Sequence, residues 1–502
     1  MTPSTNPRNE SPPIAQRRER ALVIASNRGP ITVQSVTDGQ VYFERGSGGV
    51  VTALLGLAQQ IEATWIACAR TDADAAWGAG EIQLADTDRS IRVKFLAPAP
   101  GAFDQYYNVI ANPLLWFLQH AMWAVPREPI IDRTTWRAWE DGYQVVNHLF
   151  ATTIAQTLRA IPCPAVIMLQ DYHLYLVARD LRQQLRLKPK HALLHFIHIP
   201  WPGSTYMRIL PGTMRHAILD SLCAVDLLGF QTRDDSLNFL RSCESFLPGA
   251  HVNTRRGRVW YRNHMTHVRD FPISIDVAAL RQTADSPAVA EFRAELQALI
   301  ADAQLIVRVD RIEPSKNIVR GFRAFEELLD LHPEHRGRVR FIAALVPSRL
   351  DVAEYQSYLD ELMAAAGRVN ALYGDASWEP IRLLIGESYP RAIAALQLYD
   401  VLLVNVIADG MNLVAKEGPI VNQRDGVLIL SERAGASQQL EPGAITIAPC
   451  DVYATAEALH QALTMSQTDR ATRAARLRWL IERDDISAWV SNQLQTLHDL
   501  NL

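Results

Sequence analysis

A chain of 502 residues, 48% hydrophobic and 21% charged, carries enough apolar material for the cores of two or three domains. Its formal net charge of -4 gives no basic footprint for nucleic acid or an anionic membrane, and no run of about 18 apolar residues predicts a membrane span or a secretory signal core. The five cysteines, Cys68, Cys163, Cys223, Cys243 and Cys450, are scattered, odd in number and lack CxxC spacing, which argues against a disulfide framework or a zinc site and fits reduced thiols in a cytoplasmic protein.

Residues 1–20 are rich in Pro, Ser, Asn and charge, cannot offset the entropy of ordering, and are expected to be a disordered tail. Then short apolar runs alternate with helical periodicity. The run ALVIAS (21–26) leads into Ser26, Asn27 and Arg28, and RGSGGVVTALLGLAQQI places Gly48 and Gly49 at the start of an amphipathic helix. Glycines there let an anion approach backbone N–H groups at a positive helix end, although a Gly-Gly pair taken alone is more often the mark of a simple turn. ATWIACA (63–69) and RVKFLA (92–97) follow, then PAVIMLQ (164–170) ending in Asp171, Tyr172 and His173, and ALLHFIHI (192–199) with His198 near its end. A lone histidine is more often structural than catalytic, but His198 and Asp171 both lie at strand ends, so both readings of His198 stand at this point.

A second series begins with LIVRVD (305–310), followed by Arg311 and Lys316, and RVRFIAALV (338–346), followed by Arg349. Three cations beyond buried strands can cradle a phosphate or can be solvated surface charge. VLLVNV (401–406) runs into DGMNLVAKE, with Asp409, Gly410, Lys416 and Glu417, and GVLILS (426–431) and AITIAP (444–449) complete the series. Unbroken apolar runs rather than clean alternation predict strands covered on both faces, as in parallel sheets. The reading is therefore α/β, with two Rossmann-like doubly wound domains over 21–268 and 269–470 and C-terminal helices over 471–502 packing back across them. In such sheets ligands bind beyond the carboxyl ends of the strands.

Taken together, SNR with GSGG, QYYN with LLW, QDYHL, HIPWP with RILP, DLLGFQT, VDRIEPSKN, PSR, DGMNLVAKE and GVLILSERAGA occur in the order found in trehalose-6-phosphate synthases, and the chain resembles that family from about Ala21 to its C-terminal helix. The resemblance implies a retaining glycosyltransferase of GT-B fold, with its two domains facing a central cleft, moving glucose from a nucleotide sugar to glucose 6-phosphate. It further implies that Gly49, Arg311 and Lys316 hold the donor diphosphate and that His198 and Asp409 lie against the donor glucose. By the same resemblance the backbone at Gly410, Met411 and Asn412 meets glucose hydroxyls, Leu413 and Val414 meet the diphosphate, and Glu417 takes the ribose. Arg28, Tyr107 and Arg349 match the groups that grip the acceptor phosphate, and Trp116 and Asp171 those that hold its sugar. Lys416 matches a family lysine and reads as solvated.

No Asp-x-Asp motif stands at a predicted strand end, and Arg311 and Lys316 can neutralise a leaving diphosphate, so no metal and no cofactor beyond the nucleotide-sugar co-substrate are expected. Partners are the two substrates, with no nucleic acid or membrane; the sequence is compatible with a homo-oligomer. Cys68 stands where many members carry a second tryptophan after the one matching Trp65, suggesting an altered acceptor-pocket wall. Ala408 replaces an arginine, GPIVNQRDG follows Glu417 in place of an EYVA-type continuation, and PSKN replaces Y-x-KG. These features resemble validamycin-type pseudo-glycosyltransferases, so that activity and a glucosylglycerol-phosphate synthase are the alternatives within the family. A catalytically silent sugar-phosphate sensor is the alternative of another class; it has no need to keep Arg28, Asp171, His198, Arg311, Lys316, Arg349, Asp409 and Glu417 in one chain. No fused phosphatase is expected after the last block.

Overall fold

The computed structural model describes residues 20–37, 40–45, 51, 54, 62–83, 90–185, 191–349 and 352–500. In the first half, strands β1 (Ala21–Ser26), β2 (Ile31–Thr37), β3 (Gln40–Arg45), β4 (Ala63–Cys68), β5 (Ala79–Gln83) and β6 (Ser90–Leu96) come first. They are followed by β7 (Ala165–Gln170), β8 (Ala192–Phe196), β9 (Leu227–Phe230), β10 (His251–Asn253), β11 (Arg258–Tyr261) and β12 (His264–Asp270). Apart from the separate β2–β3 hairpin, these build one sheet ordered β10-β11-β12-β9-β8-β7-β1-β4-β6-β5. The centre is parallel, and β1, β4, β7, β8 and β9 are buried at every position. Both of their faces are covered, so the sequence selects Val, Ile, Leu and Ala without alternation.

The second half forms β13 (Gln304–Arg311), β14 (Val339–Val346), β15 (Ile381–Ile385), β16 (Val401–Val404), β17 (Val427–Ser431) and β18 (Ile445–Ile447). They make an all-parallel sheet ordered β15-β14-β13-β16-β17-β18. The helix Ile318–Leu331, which leaves the end of β13 through a short loop, buries Ile318, Phe322, Phe325 and Leu329. That spacing is one face of a 3.6-residue period.

The chain's last helices touch both halves. Gln467–Arg483 is tied to the second sheet's strand-start loops by Arg470 on Asp400 at 3.0 Å and by Arg478 on Asp425 at 3.1 Å. Asp485 caps Ile486–Asp499, whose Trp489 donates its indole N–H to the Phe271 carbonyl at 3.0 Å and sets its ring edge-on to Phe196 of β8 at 5.1 Å. Among the described residues no helix is long and apolar enough to cross a membrane.

The strands absent from the sequence reading are the short or alternating ones. β5 shows the pattern of an edge, exposed at every second residue, and β11 alternates likewise. β5 holds too few apolar residues, and β11 is too short, for a run of hydrophobicity to reveal them.

Candidate active site

The loop after β13 brings opposite charges together at the carboxyl end of the second sheet. Lys316 sits in the turn Pro314–Lys316 and donates to Asp409 Oδ2, with both side chains mostly buried. Burial works against the charge on Lys316, but Asp409, Asp310 and Glu313 outweigh it and hold the ammonium above its ordinary range. Burial likewise opposes ionisation of Asp409, and Lys316 overcomes it, leaving that carboxyl below the usual value.

Behind Lys316 the loop is fixed by buried polar contacts. Arg308 is fully buried and donates to Asp310 Oδ2 at 2.8 Å, to the Lys316 carbonyl at 2.7 Å and to Asn405 Oδ1 at 2.5 Å. Asn317 donates to the carbonyls of Asn405 at 2.8 Å and Pro449 at 2.7 Å. Asn317 has φ +59° and ψ 36°, a left-handed conformation that glycine and asparagine adopt most readily. The substitution of Asn for Gly in PSKN thus keeps the turn.

The DGMN segment lies against this loop. Asn412 donates to Asp409 Oδ2 at 3.1 Å and accepts from Ala415 N–H at 3.1 Å, so one side chain both braces the carboxylate and caps the helix Val414–Val421. A Cβ built on Gly410 would fall 1.8 Å from the His198 carbonyl oxygen, so the two sheets' strand-end loops meet here with no room for a side chain. Met411 is buried, Leu413 and Val414 are half-buried at the helix start, and Glu417 follows one turn on. Glu417 accepts from the Tyr389 hydroxyl at 3.3 Å, and burial pushes its carboxyl up to about 7. Lys416 is not solvated: it is 1% exposed, donates to the Ile273 carbonyl at 2.8 Å and is drawn down to about 7 by burial. It joins the DGMN helix to the linker between the two sheets.

On the first sheet, Asp171 follows β7 with φ +70°, a conformation that costs an L residue on the order of 1–3 kcal/mol. Its N–H donates to Phe196 O at 2.7 Å, and its carbonyl accepts from His195 at 3.0 Å, which hold it there. Its Oδ1 accepts from His198 N–H at 3.2 Å, and burial raises the carboxyl to about 7. Around His198 the proton positions follow from the hydrogen bonds. Ile273 N–H donates to Gln231 Oε1 at 2.9 Å, which turns the Gln231 amide N–H groups toward His198 Nδ1 at 3.4 Å. His198 Nε2 therefore carries the proton and donates to Gln170 Oε1 at 2.9 Å, while burial lowers the imidazole to about 3 and keeps it neutral.

Residues from both halves meet a second time at Arg349. This arginine, at φ +49° beyond β14, donates to the Tyr355 hydroxyl, lies 3.7 Å from Glu313 and sits over the Trp116 ring at 5.1 Å. Trp116 comes from the wide-turned helix Gln105–Trp116 of the first half, stacked on His120 at 4.0 Å. Tyr107 from the same helix stacks between Phe103 at 5.6 Å and His173 at 5.9 Å. Burial opposes ionisation of Tyr107, yet Arg349 and Arg28 prevail and bring its hydroxyl below the ordinary value. Arg28 is exposed, and its side chain hydrogen-bonds to Tyr107.

Four contributors were given no role in the sequence reading. Glu313, 1% exposed, receives Arg311 at 3.3 Å, Arg349 at 3.7 Å and the Ser348 hydroxyl at 3.1 Å. Burial resists its charge, but Arg311, Arg349 and Lys316 bring it to about 2. Arg70 lies near Arg28 and Tyr107; burial and then Arg28 lower its pKa. Gln170 and Gln231 set the His198 tautomer. A basic residue directly after the run ATWIACA was the available signal for Arg70; Gln170, Gln231 and Glu313 lie inside the blocks QDYHL, DLLGFQT and VDRIEPSKN, whose order was read without assigning them. Gly49 falls outside the described residues. Cys68 does not form a pocket wall: it is wholly buried, in the same core cluster as Tyr106 and Ile110. Just beyond β4, Asp72-Ala73-Asp74 has metal-motif spacing, but Asp74 is consumed by the backbone N–H groups of Val33 at 2.7 Å, Arg70 at 2.9 Å and Thr71 at 3.2 Å.

Comparison with known proteins gives one consistent family. The model of glycosyltransferase family 20 matches residues 20–499. The UDP-forming alpha,alpha-trehalose-phosphate synthase of Botryotinia fuckeliana is 34% identical, covering 95% of this chain and 89% of its own. That of Schizosaccharomyces pombe is 33% identical, with 94% and 89% covered. Among solved structures, the E. coli trehalose-6-phosphate structure bound with UDP-2-fluoro glucose superposes with a TM-score of 0.81 at 29% identity, covering 95% of this chain and 98% of that one. A Burkholderia xenovorans UDP-forming synthase in complex with glucose-6-phosphate gives a TM-score of 0.81 at 26% identity, with 95% and 100% covered.

Proposed function

Because the chain belongs to glycosyltransferase family 20, we propose that its two strand-end clusters are the donor and acceptor halves of one transfer site. The enzyme is a GT-B glycosyltransferase that forms trehalose 6-phosphate from a nucleotide-glucose donor and glucose 6-phosphate. UDP as the nucleotide is supported by the UDP-forming relatives. The observation that carries the reading is the buried Lys316–Asp409 pair at the carboxyl end of the second sheet, set directly across from Asp171 and His198 through the Gly410 contact.

In the assigned roles, Lys316 and Arg311 take up the charge of the departing diphosphate, and the N-terminus of the helix Val414–Val421 presents N–H groups to it. Asp409, braced by Asn412, accepts glucose hydroxyls, and Glu417 accepts those of the ribose. Arg28, Tyr107 and Arg349 surround the acceptor phosphate while Trp116 and Asp171 frame its sugar. No carboxylate is placed as a nucleophile. Retention follows if the acceptor hydroxyl attacks from the face the nucleotide leaves, with the leaving phosphate oxygen taking its proton, and catalysis is then positioning and charge stabilisation. The cationic side chains do the work a divalent ion does in other transferases, so no metal is assigned to the reaction.

The deciding experiment is a matrix of nucleotide sugars against acceptors in excess chelator, read by nucleotide release and product mass. UDP-glucose with glucose 6-phosphate should give UDP and a disaccharide monophosphate. A product only with an aminocyclitol phosphate or glycerol 3-phosphate would transfer the assignment to one of those activities, no product with any acceptor would leave a sugar-phosphate sensor, and loss of product in chelator restored by magnesium would overturn the cation role.

Glu417 adds a pH signature. Its carboxyl lies at about 7 in the free protein, and only the ionised form accepts two ribose hydroxyls. Lowering the pH through that value should raise the donor KM, approaching about tenfold per pH unit. The nucleotide-sugar diester has no group titrating there, so a KM independent of pH, or a slope retained in Glu417→Gln, would remove Glu417 from the ribose site.

A further inference from the structure

Far from the cleft, three histidines and two glutamates meet where two helices end. His332 closes the helix Ile318–Leu331, Glu334 and His335 stand in the short turn Pro333–His335, and Glu457 and His460 lie on the helix Val452–Thr464. His332 Nδ1 is 3.6 Å from Glu334 Oε1, His460 Nδ1 is 4.0 Å from the same oxygen, and the ligand atoms of these three residues all lie within 4.8 Å of one another. His335 Nε2 is 3.0 Å from His460 Nδ1.

The other nitrogen of His332 decides what this cluster is for. His332 Nε2 is 3.0 Å from Glu457 Oε1, and a neutral ring can approach a carboxylate that closely only by donating its proton there. In that tautomer Nδ1 turns a lone pair toward the Glu334 carboxylate at 3.6 Å, and a cation between them, a metal ion or a second proton on the ring, satisfies both. A carboxylate on the far nitrogen is also how proteins orient a metal-binding imidazole. Three N and O donors lie together, and a tetrahedral site with metal–ligand distances of about 2.0–2.1 Å needs donors roughly 3.3 Å apart. The separations of 3.6 and 4.0 Å from Glu334 Oε1 exceed that by a few tenths of an ångström, so the donors must draw in on an ion. The adjustment required is a turn of the His460 ring, now stacked flat on His332 at 3.6 Å.

We propose that His332, Glu334 and His460, with Glu457 orienting His332 and water completing the coordination, form a binding site for a borderline divalent transition ion such as Zn2+ or Co2+. The site fastens the far ends of two helices whose other ends serve the catalytic loop: Asn317, before the first, is bonded to the Pro449 carbonyl, just before the second. The helix Ile318–Leu331 sets the ion roughly 20 Å from Lys316, so it stabilises the helix pair and takes no part in glucosyl transfer.

Chelator-dialysed full chain should take up a single Co2+ with the visible absorption of a four- or five-coordinate N,O site, displaced by Zn2+, and should melt several degrees higher with either ion. Glu334→Gln, a change at an exposed side chain, should weaken uptake roughly tenfold or more, and His332→Ala with His460→Ala should abolish both the absorption and the shift in melting. One imidazolium on His332, held between Glu457 and Glu334 by a proton alone, predicts no metal uptake in excess Co2+ or Zn2+; that result overturns the site. Absorption and shift that persist in the double variant overturn it as well.

Discussion

Lys316→Ala is expected to lower kcat about 100- to 1,000-fold, the range seen when a preorganised group facing developing charge is removed. Its side chain is 12% exposed, against 54% for Arg311, which shares its task. A charge shielded from water stabilises a leaving diphosphate more strongly than one in contact with it, so Arg311→Ala should lose less. The same substitution strands Asp409, whose carboxyl is buried and owes its low pKa to Lys316. A depressed carboxyl contributes stability above its unfolded value and loses it on acidification through the folded value. Without Lys316 burial takes over, Asp409 moves upward, and the stability deficit should be largest at neutral pH and shrink in acid as the group protonates. Lys316→Met combined with Asp409→Asn removes both charges; it should recover the melting temperature and leave activity lost. Near-normal turnover in folded Lys316→Ala would show that the lysine does not carry the leaving-group charge.

The buried parallel strands were legible because coverage on both faces demands unbroken apolar runs, and with them the strand ends where an α/β sheet exposes its chemistry. What the sequence concealed was pairing across distance. Glu313 is one acid among many until the fold sets Arg311 and Arg349 on it, and Lys416 looks solvated until the linker carbonyl of Ile273 is brought over it. Cys68 stood in a position suggesting a remodelled pocket, yet β4 turns it into the core. The change from glycine to asparagine at Asn317 looked like a departure and conserves a left-handed turn. These facts depend on which side of an element a residue faces and what the other half of the chain places there. Local pattern carries neither.

Arg349→Gln should raise the KM for glucose 6-phosphate roughly ten- to a hundredfold, the equivalent of one charged hydrogen bond worth about 1.5–3 kcal/mol. The guanidinium is placed for that contact before any ligand arrives: Trp116 lies beneath it, the Tyr355 hydroxyl accepts from it, and Glu313 stands at 3.7 Å. Burial opposes its charge, while Tyr172 and Glu313 more than compensate, so it stays cationic. A glutamine keeps much of the stem over Trp116 and removes only the charge. Slow transfer to unphosphorylated glucose, which presents no phosphate, should therefore be nearly unchanged, and competition by inorganic phosphate should weaken along with glucose 6-phosphate. Equal losses with both acceptors would mean that Arg349 supports the fold through Glu313 rather than gripping phosphate. Equal use of both acceptors by the unmodified enzyme would remove the phosphate cluster altogether, Arg28 and Tyr107 included. A selective loss with glucose 6-phosphate separates those outcomes, because only a phosphate contact distinguishes two acceptors that share the same ring.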